Sequence, residues 1–344
     1  MATSSGNYTS EALLATDRHF KAKVVDQVFK SNALLYLMRR NPDLLDGGTS
    51  IELPHLIAES PNFEWFSDYG TYDVSNAQQF DAGRLEWKYG TQPVVISEAD
   101  MLKNSSSKLR RMRHVRLKNM ATAKTMADKI ATAMFSLEYG DNLAIDSLDR
   151  AVNNVAGTGA ESTALGFDYN ATPTYAGITR ATSGVGALWV SDVDDATGTT
   201  TMGALQQSYG DATEADDHPT VAVTSQTGFN RYWNLLTPTQ RQGTDLVGEG
   251  GFQSLMFNGI PVIVDSHVPR YLGVNDTDAD QDQDYWYFLN LNYIKLTAHQ
   301  EAYFKFRPSP MPVDQWVHIG RYYLMGNIVC DAPRFQSKLT ALKA

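Results

Sequence analysis

Residues 276–284 read DTDADQDQD, with an aspartate at every second position. Carboxylates at that spacing are how a calcium-binding loop begins. An EF-hand loop also needs glycine at its sixth position, where the chain turns sharply, and a bidentate glutamate at its twelfth. Counted from Asp276, those positions hold Gln281 and Tyr287. The run reads as an acidic surface loop feeding the apolar stretch YWYFLNL, and no metal or other cofactor is assigned to it. His299 and Glu301 are a second pair of donors, two residues apart on a predicted strand. They suit either one face of a metal site or an ordinary surface pair. Cys330 is the one cysteine, so no disulfide can form within the chain. It follows the apolar Ile328-Val329 in a strand pattern and reads as a buried structural thiol, because nothing near it in sequence would lower its pKa.

The motifs of common catalytic chemistries do not occur: there is no GxxxxGK[ST], GxSxG, HExxH or CxxC. The run Gly157–Ser162 (GTGAES) has the start of a dinucleotide loop and lacks its last glycine. The expectation is a protein that is not an enzyme. One basic cluster stands out, KLRRMRHVRLK over Lys108–Lys118, in the first turns of a predicted helix. Cations there oppose the helix dipole, which prefers anions at the N-terminus. An acidic group from another chain would relieve that, so Arg110, Arg111, Arg113 and Arg116 are candidates for contacts between subunits.

The elements around these residues follow from pattern. The chain has 344 residues, 42% of them hydrophobic, enough for a sizeable core. Its net charge of −10 argues against nucleic-acid binding as the main task. The N-terminal residues lack the charged and apolar regions of a secretory signal, and no apolar run approaches the roughly 18 residues of a membrane span. Residues 8 to about 40 carry apolar side chains at helical spacing, ending at Asn41-Pro42. Residues 51–96 change to strand character. In GRLEWKYG, Leu85, Trp87 and Tyr89 alternate with Arg84, Glu86 and Lys88, predicting one strand with an apolar and a charged face. Its expected partner is the run around Phe63, Trp65 and Phe66, making a long hairpin. Such a hairpin is barely stable alone and needs something to pack on. From Ser105–Ser107, a candidate cap, to Tyr139 there is no glycine or proline, and Gly140 marks a stop. That predicts a helix of about 50 Å at 1.5 Å per residue, with a stripe through Leu117, Met120, Ala123, Ala127, Ile130, Met134 and Leu137. Further on, VTSQTGFNRYWNLL predicts a strand and a short helix, FNGIPVIVDSHVP a buried strand, and YWYFLNLNYIKL another. Residues 191–220 read as surface loop, and WVHIGRYYL and GNIVCDAP as two last strands.

The order of these parts resembles the major capsid proteins of tailed bacteriophages, with the Hong Kong 97-type fold. Local runs carry the same resemblance. YAGITRATSGVGALWVSDV, from Tyr175, is similar to that family's "GGIDR…" segment followed by a tryptophan. FNGIPVIVDSHVP is similar to its "GxPVxxDxxVP" strand, and GNIVCDAPRFQSKLTAL to its terminal "GNLV…R…G…L" run. The resemblance spans about Ile51 to Leu342. It implies an α+β chain divided into an N-terminal arm (1–48), an E-loop hairpin (49–98), a P-domain with a long spine helix (99–150), an A-domain (151–300), and return strands of the P-domain with the C-terminal segment (301–344).

The function implied is structural: copies form pentamers and hexamers that close into an icosahedral shell around double-stranded DNA. The shell would assemble in the host bacterial cytoplasm and reside in the virion. The implied partners are other copies of the chain, a separate scaffolding protein if any, a portal, and possible decoration proteins; DNA would be a non-specific neighbour, and a membrane no partner. A scaffolding segment fused at the N-terminus is not expected, since about 50 residues precede the hairpin. Lys88 is the one lysine between Ile51 and Glu98 and falls on a strand, so a non-covalent shell is expected. The apolar interface candidates are Trp65, Phe66, Leu85, Trp87 and Tyr89. The competing readings are a tail or decoration subunit, or a metal-dependent hydrolase using the acidic loop, His299 and Glu301.

Overall fold

The computed structural model describes residues 32–56, 62–71, 74–75, 79–103, 108–136, 143–154, 174–181, 184–199, 201–236, 254–271, 283–309 and 316–343. The first described element is helix α1, Ala33–Arg40. Ala33, Leu34, Leu35 and Met38 fall on one face and are buried, while Arg39 and Arg40 sit at the negative end of the helix dipole. Asn41-Pro42 ends it as the sequence predicts. Strand β1, Asp43–Leu45, follows, and then the hairpin strands β2, Ile51–Leu56, and β3, Phe80–Leu85, paired antiparallel from Ile51↔Leu85 to Leu56↔Phe80. Next come β4, Lys88–Ser97, the short helix α2, Glu98–Lys103, and the long helix α3, Lys108–Met134. After α4, Leu148–Ala151, the small hairpin β5, Thr174–Tyr175, and β6, Ile178–Thr179, turns through Ala176-Gly177.

The remaining strands build two sheets. In chain order they are β7, Asp192–Thr199; helix α5, Met202–Asp211; β8, Val221–Thr224; helix α6, Gln226–Leu235; β9, Ser254–Phe257; β10, Ile260–Val264; β11, Arg270–Tyr271; β12, Gln283–Leu289; β13, Ile294–His299; β14, Lys305–Ser309; β15, Val317–Cys330; and β16, Ser337–Lys343. A five-stranded sheet has the order β1-β13-β15-β14, with β4 along the other edge of β15. A seven-stranded sheet has the order β7-β16-β12-β8-β10-β9, with β11 on β12.

The seven-stranded sheet is buried on both faces, which explains its central strand. Tyr285–Leu289 is an unbroken run of large apolar side chains, each with 0% exposure. A strand covered on both sides reads as continuous rather than alternating. Tyr285, Tyr287 and Leu289 join a cluster with α1, the end of α3 and the five-stranded sheet. Trp286 and Phe288 point the other way, into a cluster with Leu205 of α5 and Phe229 and Tyr232 of α6. Lys338 of β16 is fully buried too, with Nζ 2.7 Å from the buried carboxylate of Asp149 in α4.

Several expectations are corrected. Residues 191–220 are not surface loop: they hold β7 and α5, the helix capped by Thr201, whose Oγ1 accepts the N–H of Ala204. DVDDATGT is a poor strand by composition; its parallel pairing with β16 makes it one. The buried strand expected in FNGIPVIVDSHVP is β10, and FNGI before it turns the chain back from β9; Asn258 and Gly259 take φ of 46° and 86°, the positive pair that an Asn-Gly turn supplies. WVHIGRYYL and GNIVCDAP are one strand, β15. It passes Gly326 because a Cβ there would lie 2.6 Å from the Thr297 carbonyl on β13. Helix α3 has 27 residues, about 40 Å rather than 50. Its buried side is Met126, Ile130, Ala131 and Met134, while Met120 and Ala123 face outward. Strand β13 lies in the five-stranded sheet and β16 in the seven-stranded one. The helix expected over residues 8–31, Ser105–Ser107, Gly140, the run Gly157–Ser162 and most of the acidic loop fall outside the described residues.

Candidate interaction surface

Among the described residues, the most exposed aromatic side chains lie on the hairpin. Trp65 is 92% exposed and Tyr69 100%; Phe63, Phe66 and Phe80 are also exposed. Phe63 and Trp65 meet edge to face with centroids 5.5 Å apart. This stretch is not the strand expected there. It is irregular, with a turn closed by the N–H of Gly70 on the Ser67 carbonyl, and the partner of β3 is β2.

The run GRLEWKYG is likewise two strands. Leu85 and Trp87 are buried, and Trp87 Nε1 donates to the Gly48 carbonyl at 3.0 Å. From Lys88 onward the phase flips: Val94 and Ile96 point inward while Tyr89 and Val95 point outward. A shift of one residue exchanges the faces of a strand. Of the five apolar interface candidates, Leu85 and Trp87 are buried in the core of their own chain. Trp65, Phe66 and Tyr89 are on the surface.

The base of the hairpin is held by the segment Tyr175–Trp189. The N–H of Arg84 donates to the Ala176 carbonyl at 2.7 Å, and the His55 ring packs on Trp189 at 4.3 Å. Trp189 Nε1 in turn donates to the Tyr175 carbonyl, and the Tyr175 hydroxyl accepts the N–H of Cys330. Arg180, buried, donates to the carbonyls of Trp189, Arg150 and Ala151. So the apolar tip stands on a rigid, hydrogen-bonded foot. Burial with an apolar lining pushes the Cys330 thiol far above its usual range, an inert structural group as the sequence suggests.

The charged candidates divide. Arg110, Arg111 and Arg113 lie in the first turns of α3, and Arg116 is exposed on it. Sequence reasoning missed a second basic group. On the outer face of the five-stranded sheet Arg307 of β14 stands directly opposite Arg321 of β15, with Lys305 beside them; all three are exposed. Like charges directly opposite on a sheet destabilise it, and among the described residues neither guanidinium has an ion-pair partner. The His299–Glu301 pair is local: His299 Nδ1 accepts the backbone N–H of Glu301 at 3.0 Å, closing a turn. A third group joins β7 and α5, where carboxylate oxygens of Asp192, Asp194 and Asp211 lie within 4.8 Å of one another. Burial, then the neighbouring carboxylates, push Asp192 up to about 7. Ser208 donates to Asp194 in the same place.

No protein-family model and no curated protein matches this sequence. Solved structures do. The capsid protein of cyanophage A-1(L) superposes with a TM-score of 0.62 at 17% identity, over 98% of this chain and 99% of that one. The capsid of Myoviridae phage XM1 gives 0.54 at 11% identity, over 98% and 100%. The SrpI encapsulin of Synechococcus elongatus PCC 7942 gives 0.53 at 9% identity, over 94% and 93%. The chain has the phage capsid fold. At these identities the likeness extends along nearly the whole chain in architecture.

Proposed function

We propose that this chain is the major capsid subunit of a tailed bacteriophage. Its copies form pentamers and hexamers that close into an icosahedral shell around double-stranded DNA. The observation that carries this reading is the hairpin: a cluster of exposed aromatic side chains, rimmed by polar residues, on a base tied firmly to the rest of the chain. Monomeric proteins rarely expose such a patch without a partner to cover it. In this reading the hairpin is the E-loop, α3 the spine helix, the five-stranded sheet the P-domain and the seven-stranded sheet the A-domain.

The charges support the same reading. From Ile51 to Leu85 the sequence holds Glu52, Glu59, Glu64, Asp68, Asp73 and Asp81 against Arg84 alone. An acidic, aromatic hairpin from one copy complements the Lys305–Arg307–Arg321 face of the next, and Arg116 of α3 offers a further exposed cation. Trp65, Phe66 and Tyr89 bury apolar area at about 25 cal/mol per Å², and a closed symmetric shell repeats each contact many times. Other copies are the main partner, with a portal and scaffold completing assembly, and the location is the virion.

Negative-stain electron microscopy of the purified chain at high concentration tests this. Closed shells, or rings of five and six, are the expected result, and shells recovered from infected cells should protect DNA from nuclease. Shells that enclose protein instead would place the chain with the encapsulin. A chain that stays monomeric both alone and with its phage's other structural proteins would overturn the reading.

A further inference from the structure

His267 lies in the turn after β10, at the end of the run FNGIPVIVDSHVP, and its side chain is 3% exposed. Both ring nitrogens face carboxylates. Nδ1 is 3.1 Å from Oδ1 of Asp265, which is fully buried in the same turn. Nε2 is 2.9 Å from Oδ1 of Asp128, which lies on the long helix α3. Asp265 is anchored further: its Oδ1 accepts the backbone N–H of His267, and its Oδ2 accepts the N–H of Leu34 at 3.0 Å. Leu34 is in the first turn of α1, whose own cap residue Asn32 makes no side-chain cap bond. One imidazole and one carboxylate thus join three elements: the seven-stranded sheet, α1 and α3.

The bonding requires a particular protonation state. An imidazolium has two N–H groups, and each can donate to one carboxylate. A neutral imidazole has one, and its other nitrogen then turns a lone pair toward carboxylate oxygens that can only accept. We propose that His267 is a proton-dependent clip between α3 and the seven-stranded sheet: protonated, it holds Asp128, and neutral, it releases it. Asp265 keeps the remaining N–H because it is two residues away and already bound to the His267 backbone. Asp128 sits on a separate element and is the contact that opens.

The groups that face the ring are Asp265 from its own turn and Asp128 from α3, with the positive end of α1 reaching Asp265 from the far side. The hydrogen bond to Asp265, ahead of that to Asp128, raises the His267 pKa above its ordinary 6.5, against the opposing effect of burial. A group whose folded pKa is raised contributes stability that is complete below the unfolded value and lost as pH rises through the folded one. The clip is therefore closed below about pH 6.5 and opens on the alkaline side of it. This device does not depend on the shell-forming role, and its test reads the single chain.

Deuterium exchange at the imidazole C2 position of the folded chain, followed by digestion and mass spectrometry of the histidine-containing peptides, gives the titration midpoint of each histidine. His267 should titrate above pH 6.5, and D128N should move the midpoint down. A midpoint at or below 6.5 would overturn the proposal. The second measurement is a double-mutant cycle of H267Q and D128N, read as unfolding constants in denaturant. We expect a coupling of about ten-fold at pH 6 that falls within about two-fold at pH 9. Equal coupling at both pH values would mean a static hydrogen bond and no clip. If either variant fails to fold, the exchange midpoint of the unaltered chain decides.

Discussion

Two aromatic stretches of this chain have nearly the same composition and opposite fates. Tyr285, Trp286, Tyr287 and Phe288 are wholly buried in the centre of the seven-stranded sheet. Phe63, Trp65, Phe66 and Tyr69 stand in solvent on the hairpin. In the first, successive side chains enter two different clusters, one above and one below the sheet. In the second, no layer among the described residues covers them. The same residue types thus complete a fold in one place and leave it open in the other, and the open one is where the proposed assembly places another copy.

The comparison breaks most sharply by deleting one aromatic from each side. F288A should cost about 3–5 kcal/mol, enough to leave the chain largely unfolded, as circular dichroism would show. W65A should change the stability of the unassembled chain by less than about 0.5 kcal/mol and yet reduce shell yield strongly in the electron microscope. A thermal midpoint that drops as far for W65A as for F288A would mean that the hairpin packs on its own chain. A comparable cost to F288A is expected at Lys338: K338A removes the cation 2.7 Å from the buried carboxylate of Asp149, a loss of about 3–5 kcal/mol. Replacing both partners, K338M with D149L, should recover much of the loss in the same denaturation assay.

How much of this was legible in the sequence follows from where each signal resides. The two-sided burial of YWYFL was visible as an unbroken apolar run, and the end of α1 as Asn41-Pro42. The hairpin's existence was legible and its pairing was not. GRLEWKYG alternates cleanly, but the phase slips between Trp87 and Lys88, where the chain leaves one sheet for another, and no local pattern announces that. Strand β7 was illegible because its eight residues, DVDDATGT, are mostly polar and become a strand only when β16, about 145 residues later, lies beside them. The clip could not be read either: Asp128, Asp265 and His267 are ordinary letters until the fold brings α3 to the turn after β10. The one available signal was that FNGIPVIVDSHVP places both Asp265 and His267 in a single motif.

A smaller effect sharpens the comparison within the seven-stranded sheet, where burial acts on charge instead of aromatic surface. Asp192 has a folded pKa of about 7 against an ordinary value near 3.8. Between those values the folded chain keeps a proton that the unfolded chain releases, so stability falls as pH rises from about 4 to about 7 and then levels. Desolvation and the charges of Asp194 and Asp211 are the cause. D192N removes the charge and so should flatten that slope, stabilising the chain at pH 8 by on the order of 1 kcal/mol once solvent screening is allowed for. Urea denaturation of both chains at pH 5 and pH 8 measures it, and a stabilisation that is equal at the two pH values would assign the effect to packing instead.

The smallest expected change in stability has the opposite sign to its effect on assembly. Arg307 and Arg321 repel each other across the outer face of the five-stranded sheet, a penalty of about 0.2–1 kcal/mol for a directly opposed like-charged pair. R307E turns the repulsion into attraction, so the unassembled chain should gain a few tenths of a kcal/mol. If that face receives the acidic hairpin of a neighbour, the same substitution sets carboxylate against carboxylate in the shell, and assembly should fail or slow. Lysines at Glu64 and Asp68 on the hairpin should then restore it. A chain that gained stability and lost assembly, with rescue by the reversed hairpin, would show that the repulsion is held for a partner. A chain that gained stability and assembled as before would make the arginine pair an unrelated surface feature and move the docking site elsewhere on the subunit.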